Sequence, residues 1–184
     1  MKLANPAPLG LTGFALTTCV LSMVNAGLFP GEAVPMVLAS AFAFGGTAQF
    51  FAGLMEAPRG NTFGFVAFCS YGAFWWTFAL FVLFFAQGVP GQFVGWWLLL
   101  WGVFTFMMWL ASLALNRALQ AIFLALWITF VLLAIKDLSG IGWIGVIGGY
   151  MGIVTAALAF YLAAAEVINE THGRIILPVD VKKS

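Results

Sequence analysis

Charge is what this sequence has least of. Only 13 of its 184 residues are Asp, Glu, Lys or Arg, which is 7%, against about 25% in a soluble domain. The net charge is +1. There is no basic surface for a nucleic acid, and the chain is too apolar to be disordered. Histidine is nearly absent: His172 stands alone, near the C-terminus. The two cysteines, Cys19 and Cys69, lie inside apolar runs and read as small packing residues. No spacing suggests a metal site, a disulfide framework or a Ser/His/Asp hydrolase. We therefore expect no enzyme, no metal and no cofactor.

What remains is hydrophobic, 64% of the chain. The charges divide it into five charge-free runs, 3–31, 33–55, 60–116, 118–135 and 138–165. A membrane helix needs about 20 apolar residues to cross a core of about 30 Å. The run 60–116 would make one helix of about 85 Å at 1.5 Å per residue, so it must break. Gln87-Gly88-Val89-Pro90-Gly91-Gln92 has turn composition and divides it. The expectation is an all-α polytopic membrane protein with six transmembrane helices, at 8–29, 33–55, 61–87, 91–114, 117–135 and 140–166. A short tail, 167–184, follows, and the whole chain forms one transmembrane domain.

The Lys and Arg distribution orients it. Lys2, Arg59, Arg117, Arg174, Lys182 and Lys183 fall on one side and Lys136 alone on the other. The positive-inside bias then puts both termini in the cytoplasm. A cleaved signal peptide over the first 30 residues fits less well, because Pro6 and Pro8 interrupt its start and its removal would spoil the bias.

Inside the spans the polar residues are few and uncharged. Thr18, Ser22 and Asn25 are spaced four and three apart on the first span. Gln49 lies in the second, Ser70 and Tyr71 in the third, Gln120 in the fifth, and Thr155 and Tyr161 in the sixth. They read either as interhelical glue or as a thin row of donors and acceptors along a path. No charged residue lies near a span centre, which weighs against an ion pump or a carboxylate proton relay. Glu56 and Glu166 end the second and sixth spans. They read either as an ion-pair network with Arg59, Arg117 and Arg174, or as proton-handling or mouth carboxylates. Gly145, Gly149, Gly152, Ala156, Ala159 and Ala163 form one helical face, for close packing or for a narrow solute path. Asn5-Pro6 and Asn61 each open a helix on the cytoplasmic side, where free N–H groups favour a carboxylate.

The longer strings are more specific. Asn5-Pro6-Ala7-Pro8-Leu9-Gly10-Leu11 is followed by Gly13-Phe14 and Thr17-Thr18. Then come Ala48-Gln49, Ala52-Gly53, Glu56, Gly60-Asn61-Thr62-Phe63-Gly64, Ala67-Phe68, Ser70-Tyr71-Gly72 and Phe74-Trp75. Trp101-Gly102-Val103-Phe104-Thr105 and the tail pattern Glu166, Asn169-Glu170, Gly173-Arg174, Leu177-Pro178 complete the series. In this order they resemble the acetate uptake transporter family, the succinate–acetate permeases, over essentially the whole chain.

That resemblance implies a hexamer in the inner membrane of a prokaryote, in contact with membrane lipid, with a pore within each protomer. It implies transport of acetate, succinate or other short carboxylates, as an anion channel or a proton-coupled permease. Phe14, Tyr71 and Leu126 match the family's apolar constriction, Leu126 by counting from Arg117 and Gln120. Asn5 and Gln49 would lie along the route, and Thr17, Thr18, Asn61 and Gln120 complete the candidate pathway. The turn at 88–92 and the segment 136–142 are shorter than in other members. From the residues alone, a pore for a neutral solute such as urea, ammonia or water is the rival reading.

Overall fold

The computed structural model describes residues 3–179, and all regular structure among them is helical. Six helices are long and apolar enough to cross a membrane. They are α1 (Ala7–Asn25), α2 (Gly31–Arg59), α3 (Thr62–Phe85), α4 (Gly91–Ser112), α5 (Arg117–Ser139) and α6 (Gly142–His172). Lys2, Lys182 and Lys183, used for orientation, lie outside the described residues.

Local chemistry sets the helix ends. Pro6 and Pro8 suit the first turn of α1, which begins at Ala7. Asn5 Oδ1 accepts the Ala7 N–H at 3.2 Å. The helix stops at Asn25, four residues before the expected end, because Gly27 turns left-handed at φ 73°. Asn61 caps α3 by accepting the Gly64 N–H at 3.0 Å, and Asn116 caps α5 by accepting Leu119 N–H at 2.8 Å. Gly140 and Gly173, at φ 74° and 63°, end α5 and α6. The last helix runs to His172, so 167–172 continue it and, among the described residues, only 173–179 lie beyond it.

α2 is irregular in a useful way. Between Ala41 and Ala48 its turns widen to π type. Gly45 lies flat on α1, where a Cβ would come within 2.6 Å of Thr17 Oγ1. Gly13 of α1 likewise leaves room for the Phe44 carbonyl. Two backbones therefore meet closely, and the wide turns follow the glycines that permit it.

Neighbouring helices pack in the order α3, α2, α1, α6, α5, α4. The small-residue face of α6 packs inside the protomer. Gly149 lies against the Asn25–Ala26 backbone, Gly152 against Ser22, and Gly145 against the Lys136 stem. The opposite flank is an aromatic column. Phe74 stacks on Trp97 at 5.1 Å and meets Phe130 edge-on at 5.4 Å. Each such pair adds about 0.5–1.5 kcal/mol beyond the area it buries. Tyr161 does not face the interior. It is exposed, and its hydroxyl donates to the Pro178 carbonyl at 2.8 Å, which folds the end of the described chain back onto α6.

Candidate functional site

Three cavities lie in series through the bundle. The first, about 120 Å³, opens at the end bearing Asn61 and Glu166. The central one is small, about 40 Å³. The third, about 230 Å³, lies at the end bearing Lys136 and Asp137.

Phe14, Tyr71 and Leu126 line both the first and the central cavity. All three are buried, and the Phe14 and Tyr71 rings sit 5.8 Å apart between centroids. Their side chains come from α1, α3 and α5, so three different helices meet at one neck. Tyr71 OH lies 2.9 Å from Thr105 Oγ1. Thr105 spends its own proton on the Trp101 carbonyl at 2.7 Å, so Tyr71 donates to Thr105. The phenol oxygen is thereby tethered to α4, and Phe104 and Trp101 brace the ring at 5.5 and 5.9 Å.

Gln49, Asn61 and Glu166 line the first cavity. Gln49 is 1% exposed, and its Oε1 has no hydrogen-bond partner. Glu166 is the one charged residue in that wall, which holds no Lys, Arg or His. Asn5 donates its amide to Glu166 Oε2 at 3.0 Å while capping α1, so the opening helix is tied to α6. Glu56 stands behind the wall. A Cβ at Gly64 would come within 3.0 Å of its Cγ. Its Oε2 is 3.5 Å from Arg59 Nε, and its Oε1 has no partner. Arg59 also donates to the Leu3 and Ala4 carbonyls at 3.1 and 2.9 Å.

Thr18, Ser22 and Asn25 all line the central cavity, as their spacing along α1 allows. Three expected pathway residues line none of the three cavities: Asn5, which reaches the first one only through its bond to Glu166, Thr17 and Gln120. Thr17 is buried against Gly45 and lies 3.4 Å from the Ser40 carbonyl. Gln120 donates to the Leu113 and Leu115 carbonyls at 3.4 and 3.3 Å, closing the end of α4. Both side chains satisfy backbone carbonyls, which is the cheaper use of a polar group in lipid. Reading the sequence missed Thr105, Trp75, Phe74 and Phe130. Phe74-Trp75 and Thr105 belong to strings quoted above, but nothing in the strings says which ring or hydroxyl faces inward. Among the described residues no three His, Cys, Asp or Glu side chains gather to hold a metal.

A model of the GPR1/FUN34/yaaH family matches residues 1–181. The chain is 46% identical over 182 residues to the succinate-acetate/proton symporter SatP of Escherichia coli K12, covering 97% of this chain and 96% of that one. It is 38% identical over 186 residues to the ammonia transport outward protein 2 of Saccharomyces cerevisiae, covering 96% of this chain and 66% of that protein. A solved structure described as the bacterial acetate channel SatP superposes with a TM-score of 0.93 at 45% identity, over 97% of this chain and all of that one. An all-helical bundle of this shape, with the quoted motifs in order along it, belongs to the GPR1/FUN34/yaaH family.

Proposed function

We propose that this protein passes acetate and related short carboxylates across the cytoplasmic membrane through the row of cavities within each protomer. One observation carries the reading. Two cavities, of about 120 and 40 Å³, meet at a neck of Phe14, Tyr71 and Leu126, inside a bundle whose near relatives are named for acetate. An apolar neck of this kind selects by size and by the cost of dehydration. Asn5, Asn61 and Glu166 form the cytoplasmic mouth, with Arg59, Arg117 and Arg174 at that end and Lys136 at the other. The assembly is a homo-hexamer by family resemblance, and native mass spectrometry of the purified protein tests that number.

The permeating species is the protonated acid or an anion travelling with a proton. The first cavity offers no cation to hold an anion and one carboxylate to repel it. The unpartnered Gln49 Oε1 accepts a hydrogen bond, which acetic acid can donate and acetate cannot. Labelled acetate uptake into liposomes tests this, with an imposed pH gradient and a protonophore. Uptake that collapses with the gradient supports it. Uptake that follows membrane potential and ignores the gradient supports the anion channel instead.

A neutral-solute pore is the second reading, favoured by the relative named for ammonia transport and by an interior with no cation at its neck. Ammonia or urea flux that acetate does not compete with would support it.

A further inference from the structure

One threonine bonds its own helix out of the usual step. Thr12, Thr77, Thr105, Thr129 and Thr155 each donate the side-chain hydroxyl to the carbonyl four residues back, the common habit of threonine in a helix. Thr47 reaches five residues back, to the Phe42 carbonyl at 2.7 Å. Five is the step of a π turn, and Thr47 lies inside the widened stretch Ala41–Ala48 of α2.

A neighbouring helix holds that hydroxyl. Trp76 of α3 donates its indole N–H to Thr47 Oγ1 at 3.3 Å. The Thr47 proton is already engaged by Phe42, so its oxygen accepts. The indole lies flat on Gly46, where a Cβ would collide with it, and Phe50 covers the ring at 4.9 Å. Gly13 of α1 makes room for the Phe44 carbonyl, and Gly72 of α3 for the Gly46 carbonyl. The widened stretch is thus gripped from both sides. Neither Thr47 nor Trp76 lines any of the three cavities in the row.

This stretch decides where the next residue points. Val37, Ala41, Gly45 and Gln49 are all buried and stand four apart. On a regular helix four residues advance about 400°, so such a stripe drifts by about 40° at each step and about 120° over three. Wider turns take up the drift. Gln49 follows directly, and its backbone N–H still reaches the Phe44 carbonyl, five residues back. Its side chain lines the first cavity with an unpartnered Oε1. Single π turns are frequent at functional sites.

We propose that Thr47 and Trp76 are positioning residues for transport: their bond holds the wide turn of α2, and the wide turn presents the Gln49 amide to the passing acid. This rests on the transport reading above and deepens it, because it assigns part of the path's selectivity to a pair outside the path. In a regular turn the Thr47 hydroxyl would take the Ala43 carbonyl instead, so the indole is what fixes the choice. Without the bond α2 samples the regular turn, and Gln49 rotates out of the cavity. Only the aligned fraction then binds, and apparent affinity falls by that fraction.

Acetate uptake into liposomes, measured against concentration, tests the pair. Thr47→Val and Trp76→Phe should each raise the half-saturating acetate concentration about fivefold, the size of one ordinary hydrogen bond, and keep the maximal rate. Thr47→Ser retains the hydroxyl and should restore the wild-type value. A second measurement follows position 49 itself. In protein carrying Cys19→Ala, Cys69→Ala and Gln49→Cys, the thiol is labelled with methyl methanethiosulfonate and counted by intact mass. Adding Thr47→Val or Trp76→Phe should slow that labelling about fivefold. Unchanged half-saturation in both variants overturns the proposal, and so does labelling at an unchanged rate. A lower maximal rate at unchanged half-saturation reports less folded protein and overturns it too. If Trp76→Phe fails to fold by gel filtration, the contrast between Thr47→Val and Thr47→Ser decides in its place. No acetate uptake by the wild type, with labelling still slowed by the variants, refutes the transport reading and leaves the alignment of Gln49 standing.

Discussion

Tyr71 illustrates how a single side chain can have two separable jobs. Its ring narrows the path beside Phe14, and its hydroxyl ties α3 to α4 through Thr105. Tyr71→Phe keeps the ring and leaves Thr105 bonded to Trp101, so selectivity should hold while stability falls by about 1 kcal/mol. Tyr71→Ala removes the ring and should raise uptake of butyrate relative to acetate. Thermal unfolding and paired uptake assays in liposomes read the two effects separately. Equal selectivity in the Ala variant would count against the neck. Gln49 and Thr18 were visible in the sequence as polar residues in apolar spans. Their burial without a partner was not, because that depends on what every neighbouring helix leaves empty.

At the scale of the helix, glycine decides how close two elements come. In lipid there is little hydrophobic gain from pairing helices, so close backbone contact carries much of the association. Gly149 of α6 sits on the Asn25–Ala26 backbone, which cannot rotate away. Gly149→Ala should therefore destabilise by about 1–3 kcal/mol, as overpacking does. Gly102 of α4 is also buried, but a Cβ there would meet Phe130 and Val131 at 3.7 and 3.8 Å, an ordinary contact. Gly102→Ala should stabilise by about 0.5–1 kcal/mol through helix propensity. Unfolding midpoints in detergent compare the pair, and shifts of the same sign would refute the distinction. The regular spacing along α6 announced a close-packing face. Its partners, α1 and α5, could not be read from α6 alone.

For the whole molecule the sharpest expectation is a pH response. A carboxylic acid of this kind titrates near pH 4, so above that its neutral fraction rises about tenfold for each unit the pH falls. If the neutral acid is the permeating form, uptake at fixed total acetate should climb with that slope between pH 8 and 6. It should level off as the pH approaches the acid's own pKa. A flat profile over the same range would leave the anion as cargo. Uptake of this form carries no net charge, so an imposed potassium-diffusion potential should change it little.

The amino-acid sequence by itself determined that the chain is a bundle of six apolar helices. Charge-free length, glycine and proline breaks and Asn caps act locally, within a turn or two. It also carried the family, because motifs such as Asn5–Leu11 and Gly60–Gly64 survive as strings. Only the tertiary structure decided which polar groups line the path. Thr17 and Thr18 are adjacent in the chain, yet one is spent on a helix crossing and the other opens into the central chamber. Successive residues on a helix point about 100° apart, and which direction is interior depends on where five other helices lie.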